Sequence, residues 1–357
     1  MQKLRIAVAG AGLIGREHCT LITSHPGAVI AGIADPAPEA QALAESLGVP
    51  HFGDLETMLD AVRPDGAIVA LPTGLHKSAA LSCIGRGIPS LVEKPVAATL
   101  ADAFEMARAS EASGIPILVG HHRRHSADIR EARRVVQSGK LGRIVTVNGM
   151  AWVDKPDRYF DVAWRREPGG GTLLINLIHD VDCLRFILGE IRRVGAFVSN
   201  DVRGLDVEDT ASVSFEFDSG VLGSFTISDA VASPYSWERT SGQALYFPHQ
   251  PENYLFIGGR DGALEVPTME YWHHGPEGGD WQADLTRETL PLDGTQTYDN
   301  QLAHFLQVIA GNEPPVIDAA DAARTLAVIL AVKRAAAEAR TVDIAEMLEG
   351  LQDSGAP

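Results

Sequence analysis

The chain has 357 residues, 45% of them hydrophobic, and carries 30 lysines and arginines against 47 aspartates and glutamates. This composition excludes global disorder and allows two domains. The net charge of −17 argues against a nucleic acid or an anionic membrane as partner. No apolar run is long enough to span a bilayer, and the chain opens on a strand, so we expect no signal peptide. We expect Cys19, Cys83 and Cys183 to be reduced core residues of a cytoplasmic protein.

The first predicted strand, 4–9, runs into the glycine motif Gly10-x-Gly12-x-x-Gly15, and a helix is predicted from 16 to 22. A short, continuous apolar run is typical of a strand buried on both faces of a parallel sheet. The three glycines allow a tight turn, room for a pyrophosphate and close helix–strand packing, while the helix start offers N–H groups to phosphates. The motif therefore predicts a dinucleotide site. Its expected cofactor contacts are Gly10, Gly12, Leu13, Ile14 and Gly15.

An acidic residue follows the second predicted strand. The apolar run 29–34 ends in Asp35, 20 residues after Gly15. A carboxylate there can accept both ribose hydroxyls of adenosine and would repel a 2′-phosphate, so the expected cofactor is NAD. The alternative is a glycine-rich turn in some other α/β protein, with Asp35 as a loop cap.

Strands and helices continue to alternate as far as residue 120. This alternation predicts an α/β fold, with an N-terminal, doubly wound parallel sheet in domain 1–120. Asp54 and Thr99 are the expected N-caps of two of its helices. Ligands bind at the carboxyl ends of the strands in such sheets. Those ends carry residues 10–15, 35, 71–76, 93–95 and 121–124.

The pattern changes from residue 121 onward. Residues 211–217 alternate between apolar and polar, and Asp218-Ser219-Gly220 predicts a hairpin turn before the strand 221–227. Domain 121–357 is therefore predicted to be an α+β domain with an open, mainly antiparallel sheet, covered by helices on one face. Further strands are predicted at 144–152, 254–257, 263–266 and 285–290, and helices at 126–137, 298–310 and 319–339.

A predicted helix after Gly169–Gly171 carries His179 and Asp182. At 100° per residue these two share a face with Ile175, away from the main apolar stripe. An acid three residues from a histidine can fix its tautomer, which makes an acid–base pair; a surface His–Asp pair is the alternative. Asn176 lies one turn before His179. The histidines at 121, 122, 125, 273 and 274 have no recognisable metal spacing, so no metal is expected.

Seven motifs occur together, in order, over most of the chain. They are Gly10–Gly15, Pro72-Thr73-Gly74-Leu75-His76, Glu93-Lys94-Pro95, Gly120–Arg124, Trp164-Arg165, Gly169–Gly171 and His179-x-x-Asp182. With them the chain resembles the Gfo/Idh/MocA family of nicotinamide-dependent sugar and cyclitol dehydrogenases. The resemblance implies an N-terminal Rossmann domain and an open C-terminal sheet used for oligomerisation. It also implies a catalytic Lys94 assisted by His179, and Trp164-Arg165 near the nicotinamide. We therefore expect a homodimer or homotetramer.

The full expected site combines these interpretations. The catalytic set is Lys94, His179 and Asp182. Besides the glycine motif and Asp35, the cofactor contacts are Leu71, Pro72, Thr73, His76, Glu93, Lys94, His122, Trp164 and Arg165. The substrate contacts are Lys94, His122, Arg123, Ile175, Asn176, His179, Tyr235 and Trp237. For Tyr235 and Trp237 the alternative is a loop that packs its own aromatic rings.

The expected chemistry depends on the pKa of Lys94. A lysine at its usual pKa of about 10.4 is a poor base at neutral pH, and burial beside a cationic nicotinamide would lower that value. The alternative for Lys94 is a salt bridge with Glu93.

The family often has Asp four residues before the helix histidine, where this chain has Ile175, so Asp182 is expected to back His179.

The sequence predicts an NAD-dependent dehydrogenase that oxidises a secondary hydroxyl of a sugar, sugar derivative or cyclitol. Two alternatives stay open. One is a glycosidase of the same family that retains its NAD and shows no net NADH. The other is a non-catalytic dinucleotide sensor that binds a protein partner.

Overall fold

The computed structural model describes residues 3–244, 246–275, 278–349 and 351, which form two compact units. The first unit contains the chain up to His122 together with Tyr298–Leu326. The second contains Arg123–Thr297 and Ala327–Glu349. This division differs from the expected one, in which everything after residue 120 formed the second domain.

The first unit is built on a six-stranded parallel sheet, as predicted. Its strands are β1 (Leu4–Ala9), β2 (Ala28–Ala34), β3 (His51–Phe52), β4 (Gly66–Val69), β5 (Ser90–Val92) and β6 (Ile117–Val119). They lie in the order β3-β2-β1-β4-β5-β6, so the order reverses at β1 and β4, where a doubly wound sheet opens a crevice for ligands. One core cluster in this unit is made of small residues of β1, β2 and β4 packed with Met58, Leu59 and Ile88.

Five helices alternate with these strands. They are α1 (Leu13–Ser24), α2 (Pro38–Leu47), α3 (Leu55–Val62), α4 (His76–Gly85) and α5 (Leu100–Ser113). Both predicted caps are confirmed: the Asp54 carboxylate accepts the N–H of Thr57 at 2.8 Å, and the Thr99 hydroxyl accepts that of Asp102 at 3.1 Å. Such bonds satisfy N–H groups that have no partner within the helix.

The second unit contains the predicted open, mainly antiparallel sheet. Its strands in chain order begin with β7 (Ile144–Trp152), β8 (Ile191–Ser199), β9 (Thr210–Phe217), β10 (Leu222–Ser228), β11 (Leu255–Gly259), β12 (Ala263–Val266), β13 (Glu270–His273) and β14 (Thr286–Thr289). Only the pairing of β7 with β10 is parallel among these described strands. The predicted turn before β10 is confirmed, because Phe217 donates to the Val221 carbonyl at 3.0 Å around Gly220, whose φ is +82°.

The helices that follow α5 are α6 (Ala127–Gln137), α7 (Ile178–Leu188) and α8 (Trp237–Thr240). A single π-helical turn, Leu173–Leu177, precedes α7. Short 3₁₀ segments occur at Thr73–Leu75, His122–His125, Asp157–Asp161 and Ala163–Arg165.

The last helices and the last strand of the chain are divided between the two units. Helix α9 (Thr297–Ile309) and the start of α10 (Ala319–Glu338) belong mostly to the first unit, and the chain passes into the second unit within α10. Strand β15 (Val342–Asp343) then pairs with β8, and α11 (Ile344–Leu348) follows. No helix in the described part of the chain combines the length and apolar character needed to cross a membrane.

Candidate active site

The glycine motif is shaped by close backbone approaches at the end of β1. A Cβ at Gly10, whose φ is +92°, would lie 2.2 Å from the Ala70 carbonyl oxygen, and one at Gly15 would lie 1.9 Å from the Gly10 oxygen. Gly12 has no neighbouring atom within 4 Å of such a Cβ. Helix α1 begins at Leu13, so the prediction of a start at residue 16 was three residues late. The motif thus ends in a helix N-terminus beside open space, which fits a pyrophosphate.

Asp35 is held by the backbone on both sides. Its Oδ2 accepts the N–H of Ala11 at 2.7 Å and its Oδ1 accepts that of Ala37 at 2.8 Å. These bonds fix the carboxylate at the carboxyl end of β2, next to the glycine motif. Each oxygen keeps lone pairs for further donors, so the position suits the ribose hydroxyls of NAD.

His76 lies beneath the turn that follows β4. Its ring is buried, with Nε2 2.8 Å from the Leu71 carbonyl and Nδ1 2.9 Å from the Pro95 carbonyl. The predicted cofactor contact at His76 is therefore not supported, since the ring is enclosed and ties two loops together. Pro72 and Thr73, in the same turn, are exposed and half-buried, respectively.

Glu93 and Lys94 follow β5. The carboxylate of Glu93 is buried and lies 2.9 Å from Nε2 of His18 on α1, while its other oxygen accepts the backbone N–H of Lys94 at 3.3 Å. Burial acts to raise the pKa of Glu93, but the His18 hydrogen bond and the charges of His18 and Lys94 outweigh it and lower the pKa. Glu93 therefore supports the backbone of the loop at Lys94, and its expected contact with the cofactor stays a prediction. Lys94 itself is half-buried.

His122, at the end of the first unit's opening segment, stacks on Tyr298 of α9. The two ring centroids are 4.7 Å apart at an interplanar angle of 16°. The imidazole is half-buried, so part of its surface stays accessible.

In the second unit, the helix that carries His179 does not have the regular register expected for it. The π turn Leu173–Leu177 breaks the 100° spacing before His179. His179 and Asp182 are 6% and 1% exposed, so the prediction that their face lies outside the core is wrong. Ile175 is half-buried.

Asp182 forms a buried ion pair with Arg124. The guanidinium donates from Nε to Oδ2 at 2.8 Å and from Nη2 to Oδ1 at 2.7 Å. Both carboxylate oxygens thus accept hydrogen bonds from one residue. Asp182 therefore has a structural role in this ion pair, and its orientation of His179 stays a prediction. Sequence analysis placed Arg124 in the motif Gly120–Arg124 but did not pair it with Asp182, because no periodic pattern links the two residues.

Asn176 belongs to a second polar cluster. Its Oδ1 accepts from Nζ of Lys155 at 2.7 Å, and that ammonium lies 3.3 Å from Oδ2 of Asp229. Arg203 donates to the other Asp229 oxygen at 2.7 Å and to the Lys155 carbonyl at 2.8 Å. Burial lowers the pKa of Lys155, against the opposing effect of Asp229. The amide of Asn176, expected to contact substrate, is therefore engaged by a buried lysine that follows β7.

Arg123 and Trp237 lie in the interior of the second unit. Arg123 is 2% exposed and donates to Asp180 at 2.7 Å and to Glu238 at 2.6 Å, with its guanidinium 4.8 Å from the Trp237 ring centre. Trp237 is 1% exposed. Their predicted contact with substrate is not supported, because the packing leaves neither side chain a surface to offer a ligand.

Tyr235 packs edge-on against Trp152, with centroids 6.1 Å apart. Together with the burial of Trp237, this contact matches the alternative in which the loop packs its own aromatic rings.

Trp164 and Arg165 lie in a 3₁₀ turn of the second unit. Arg165 donates to the Tyr159 carbonyl at 2.8 Å and stacks over the Tyr159 ring at 4.0 Å. Trp164 is 52% exposed. A Cβ at Gly170 would lie 2.6 Å from the Trp164 carbonyl oxygen, so this glycine lets the segment pass close to the turn.

The remaining ionisable clusters do not suggest a metal. Within the ranges that the structure describes, no group of three or more His, Cys, Asp or Glu side chains could hold a metal ion. The three cysteines are buried and free, as predicted, and burial raises the pKa of Cys19 to about 11 and that of Cys83 to about 12.

Comparison with known protein families agrees with this architecture. Residues 4–121 match the model of an oxidoreductase family with an NAD-binding Rossmann fold. The first unit and its site thus define an NAD-binding oxidoreductase. Residues 129–265 match the Gfo/Idh/MocA C-terminal domain. The chain belongs to the Gfo/Idh/MocA family of oxidoreductases.

Individual relatives share most of the chain. The 1,5-anhydro-D-fructose reductase of Ensifer adhaerens is 29% identical over 347 residues, covering 95% of this chain and 98% of the reductase. The 2,7-anhydro-N-acetylneuraminate hydratase of Mediterraneibacter gnavus is 27% identical over 309 residues, covering 84% of this chain and 75% of the hydratase. An Agrobacterium radiobacter oxidoreductase, solved in complex with NAD⁺, L-tartaric acid and magnesium, has the same fold. Its TM-score is 0.82 at 22% identity, covering 97% of this chain and 100% of that one.

Proposed function

We propose that this protein oxidises a secondary hydroxyl of a sugar, a sugar derivative or a cyclitol with NAD, and that Lys94 and His179 serve the proton step. The observation that carries the proposal is the position of Lys94 at the carboxyl end of β5, in a sheet of the NAD-binding type, with the neighbouring Glu93 carboxylate bound to His18. The similarity to a 1,5-anhydro-D-fructose reductase over nearly the whole chain supports the substrate class.

The residues of the first unit fit NAD. The turn at Gly10–Gly15 and the N–H groups at the start of α1 would hold the pyrophosphate, and Asp35 would hold the adenosine ribose. Bound NAD supplies the hydride acceptor. The expected preference for NAD over NADP rests on Asp35, whose negative charge would repel a 2′-phosphate.

Lys94 is the residue that we assign as the general base. It is half-buried at the carboxyl end of β5, and the neighbouring Glu93 carboxylate lies 2.9 Å from Nε2 of His18. A neutral Lys94 would accept the proton of the substrate hydroxyl at Nζ as the hydride leaves the carbon. His179, buried on α7, would assist by holding or relaying that proton.

The function can be tested with a substrate panel. Aldoses, uronates, inositols and anhydrosugars are offered with NAD⁺, and NADH formation is followed by absorbance. We expect NADH from at least one class, with a smaller rate when NADP⁺ replaces NAD⁺. A panel in which no compound yields NADH or any other product would refute the proposal.

A second candidate is an activity that retains NAD and shows no net NADH, as in a glycosidase or a hydratase. The similarity to a 2,7-anhydro-N-acetylneuraminate hydratase is the observation in its favour. The same panel, analysed by mass spectrometry, distinguishes the two candidates. For an activity that retains NAD, the mass of the sugar would change while the absorbance of the cofactor stays constant.

We also propose that the open face of the second unit's sheet joins copies of this chain. Trp152, Phe197, Val202 and Val231 line one shallow apolar depression there. Phe197 is 84% exposed and Val202 69%. Apolar patches of this kind on a soluble protein mark interaction sites.

A further inference from the structure

We propose that Lys155 is a positioning residue for Asn176, and that the side-chain amide of Asn176 donates to a hydroxyl oxygen of the substrate that does not react. The inference rests on the proposed function and deepens it, because it names a residue that selects the substrate. Lys155 follows β7, and none of the sequence motifs described above includes it.

The orientation of the Asn176 amide follows from its contact with Lys155. Nζ of Lys155 lies 2.7 Å from Oδ1 of Asn176 and 3.3 Å from Oδ2 of Asp229. An ammonium group has three donors and no acceptor, so the amide turns its oxygen toward it. A flipped amide would set its own N–H groups against those of the lysine. Burial lowers the pKa of Lys155, but Asp229 opposes that effect and favours the charged form.

Lys155 is itself fixed between the ends of two strands. Its backbone N–H donates at 2.9 Å to the carbonyl of Asp229, which follows β10, and its own carbonyl accepts from Arg203 at 2.8 Å. Arg203 also donates to Oδ1 of Asp229 at 2.7 Å. The ammonium lies 4.9 Å from the centre of the Tyr159 ring, and only 9% of the lysine is exposed. These contacts hold Nζ in one place, and the orientation that it imposes on Asn176 is therefore fixed.

The nitrogen of the same amide is open to a ligand. Among the residues that the structure describes, none accepts a hydrogen bond from Nδ2 of Asn176. This nitrogen is also not one of the buried polar atoms that lack a partner in the described ranges, and Asn176 as a whole is half-buried. Nδ2 therefore reaches accessible space with its two N–H groups available.

Asn176 lies close to the histidine that serves the proton step in the proposed function. It belongs to the π turn Leu173–Leu177, and His179 follows three residues later on α7. Residues about one helical turn apart are neighbours on the helix surface. A substrate whose reacting hydroxyl meets His179 thus brings its next hydroxyl groups near Asn176. Because Nδ2 can only donate, it binds such a group through the oxygen.

The first test is Asn176→Asp, which keeps the shape of the side chain. The carboxylate can still accept from Lys155, but its second oxygen accepts where Nδ2 donated. With a compound that the panel shows to be converted, we expect KM to rise roughly 10-fold, because a contact to a group that does not react contributes to binding. We expect kcat within a few-fold of wild type and unchanged NAD affinity. A wild-type KM would overturn the inference.

Asn312→Asp is the matched control. Asn312 is an exposed residue of the first unit whose amide donates to Gln307 at 2.8 Å, so the same replacement there should leave KM and kcat at their wild-type values.

Deoxy analogues of the converted compound identify the partner oxygen. The analogue that lacks this hydroxyl should lose roughly 10-fold in kcat/KM with the wild-type protein and lose nothing further with Asn176→Asp. If every analogue loses the same factor with both proteins, Asn176 contacts no hydroxyl of the substrate and the inference is overturned.

The positioning role of Lys155 can be tested without a substrate. In protein labelled with ¹⁵N-asparagine, the side-chain signal of Asn176 is the one that Asn176→Asp removes. Lys155→Met keeps the length of the side chain but has no donor, so this signal should move and broaden as the amide samples both orientations. With a converted compound, KM should rise several-fold without a matching loss of kcat. An unchanged signal would overturn the positioning role. Should Lys155→Met fail to fold, Asn176→Asp decides alone, because it retains the lysine and its contact.

The outcomes separate this inference from the proposed function. If no compound of the panel is converted, the proposed function fails, while the amide signal still shows whether Lys155 orients Asn176. If a compound is converted and Asn176→Asp leaves its KM unchanged, the inference alone fails.

Discussion

Arg124 and Asp182 form a bidentate ion pair inside the second unit, with donor–acceptor distances of 2.8 and 2.7 Å. Arg124 is 4% exposed and Asp182 1%. A charge this deeply buried depends on its partner, because removal of either member takes away the opposite charge that it faces in the interior.

Asp182→Asn should therefore lower the free energy of unfolding by about 3–5 kcal/mol, the usual cost of breaking a buried pair. Denaturation in urea measures it. The matched control is Asp293→Asn, which breaks an exposed pair with Arg130 at 2.9 Å and should cost less than about 1 kcal/mol. An equal, small loss in both variants would show that the buried pair contributes little. Any fall in turnover of Asp182→Asn must be interpreted beside this loss of stability.

Lys94→Met should reduce kcat by roughly 10²-fold or more, the range for loss of a positioned acid or base, and leave NAD binding largely intact. Lys77→Met is the control, because Lys77 lies on α4 of the same unit and pairs on the surface with Asp102 and Glu105. It should keep wild-type turnover. Steady-state kinetics and NAD titration by fluorescence measure both. Turnover of Lys94→Met within a few-fold of wild type would move the search for the base to His179.

Asp35→Ser should weaken NAD binding and narrow the preference over NADP. The substitution removes the negative charge and also the acceptors of the Ala11 and Ala37 N–H groups. Asp54→Ser, at the N-cap of α3, controls for the general effect of the same replacement in this unit. Dissociation constants for both cofactors provide the comparison. Equal catalytic efficiency of the unmodified protein with NAD and NADP would refute the assignment of Asp35.

Asp180 should make stability depend on pH. Burial, opposed by Arg123, raises the pKa of its carboxyl to about 7, whereas the unfolded value is about 3.9. The folded state thus binds this proton more tightly, and its contribution to stability is full below about pH 4 and is lost as the pH rises through 7.

Asp180→Asn removes that titration. The amide cannot titrate, so we expect the stability of the variant relative to that of wild type to rise between pH 4 and pH 8. The difference in melting temperature between the two proteins measures this change, because the contributions of the other titrating groups cancel. A difference that stays constant from pH 4 to pH 8 would show that the pKa of Asp180 is not raised in the folded protein.

Phe197→Glu should reduce the mass of the protein in solution, because it places a charge in the apolar depression of the open sheet face. Val29→Glu is the control, since Val29 is also exposed but lies on β2 of the first unit. Sedimentation velocity reads both variants. An unchanged mass of Phe197→Glu, equal to that of wild type, would place the interface elsewhere.

The elements of the first unit were predictable because their chemistry is local. Gly15 is required by a contact with Gly10, five residues earlier, and Asp35 follows a strand of unbroken apolar residues. The caps Asp54 and Thr99 likewise bond within their own first turn. Patterns of this kind can be recognised in the sequence because one short stretch contains both contacting residues.

The supporting contacts of the site could not be predicted in the same way. His18 and Glu93 are 75 residues apart, and Arg124 and Asp182 are 58 apart, so only the folded chain brings each pair together. The π turn before α7 has no recognisable signal in the sequence either, because most of its residues are apolar and fit an α-helix equally well. Each of these features changed the interpretation of a residue that the sequence had singled out.

The return of the chain to the first unit has a practical meaning for engineering. A Cβ at Gly66 would lie 2.4 Å from Ile309, and the Val119 N–H donates to the Ile317 carbonyl at 3.0 Å, so α9 and the segment after it complete the nucleotide-binding sheet. A fragment ending at residue 122 would carry that sheet with an uncovered apolar surface. A chimaera that uses this nucleotide-binding unit, or a fragment that contains it alone, must therefore also include residues 298–326. A short artificial linker would join them to residue 122.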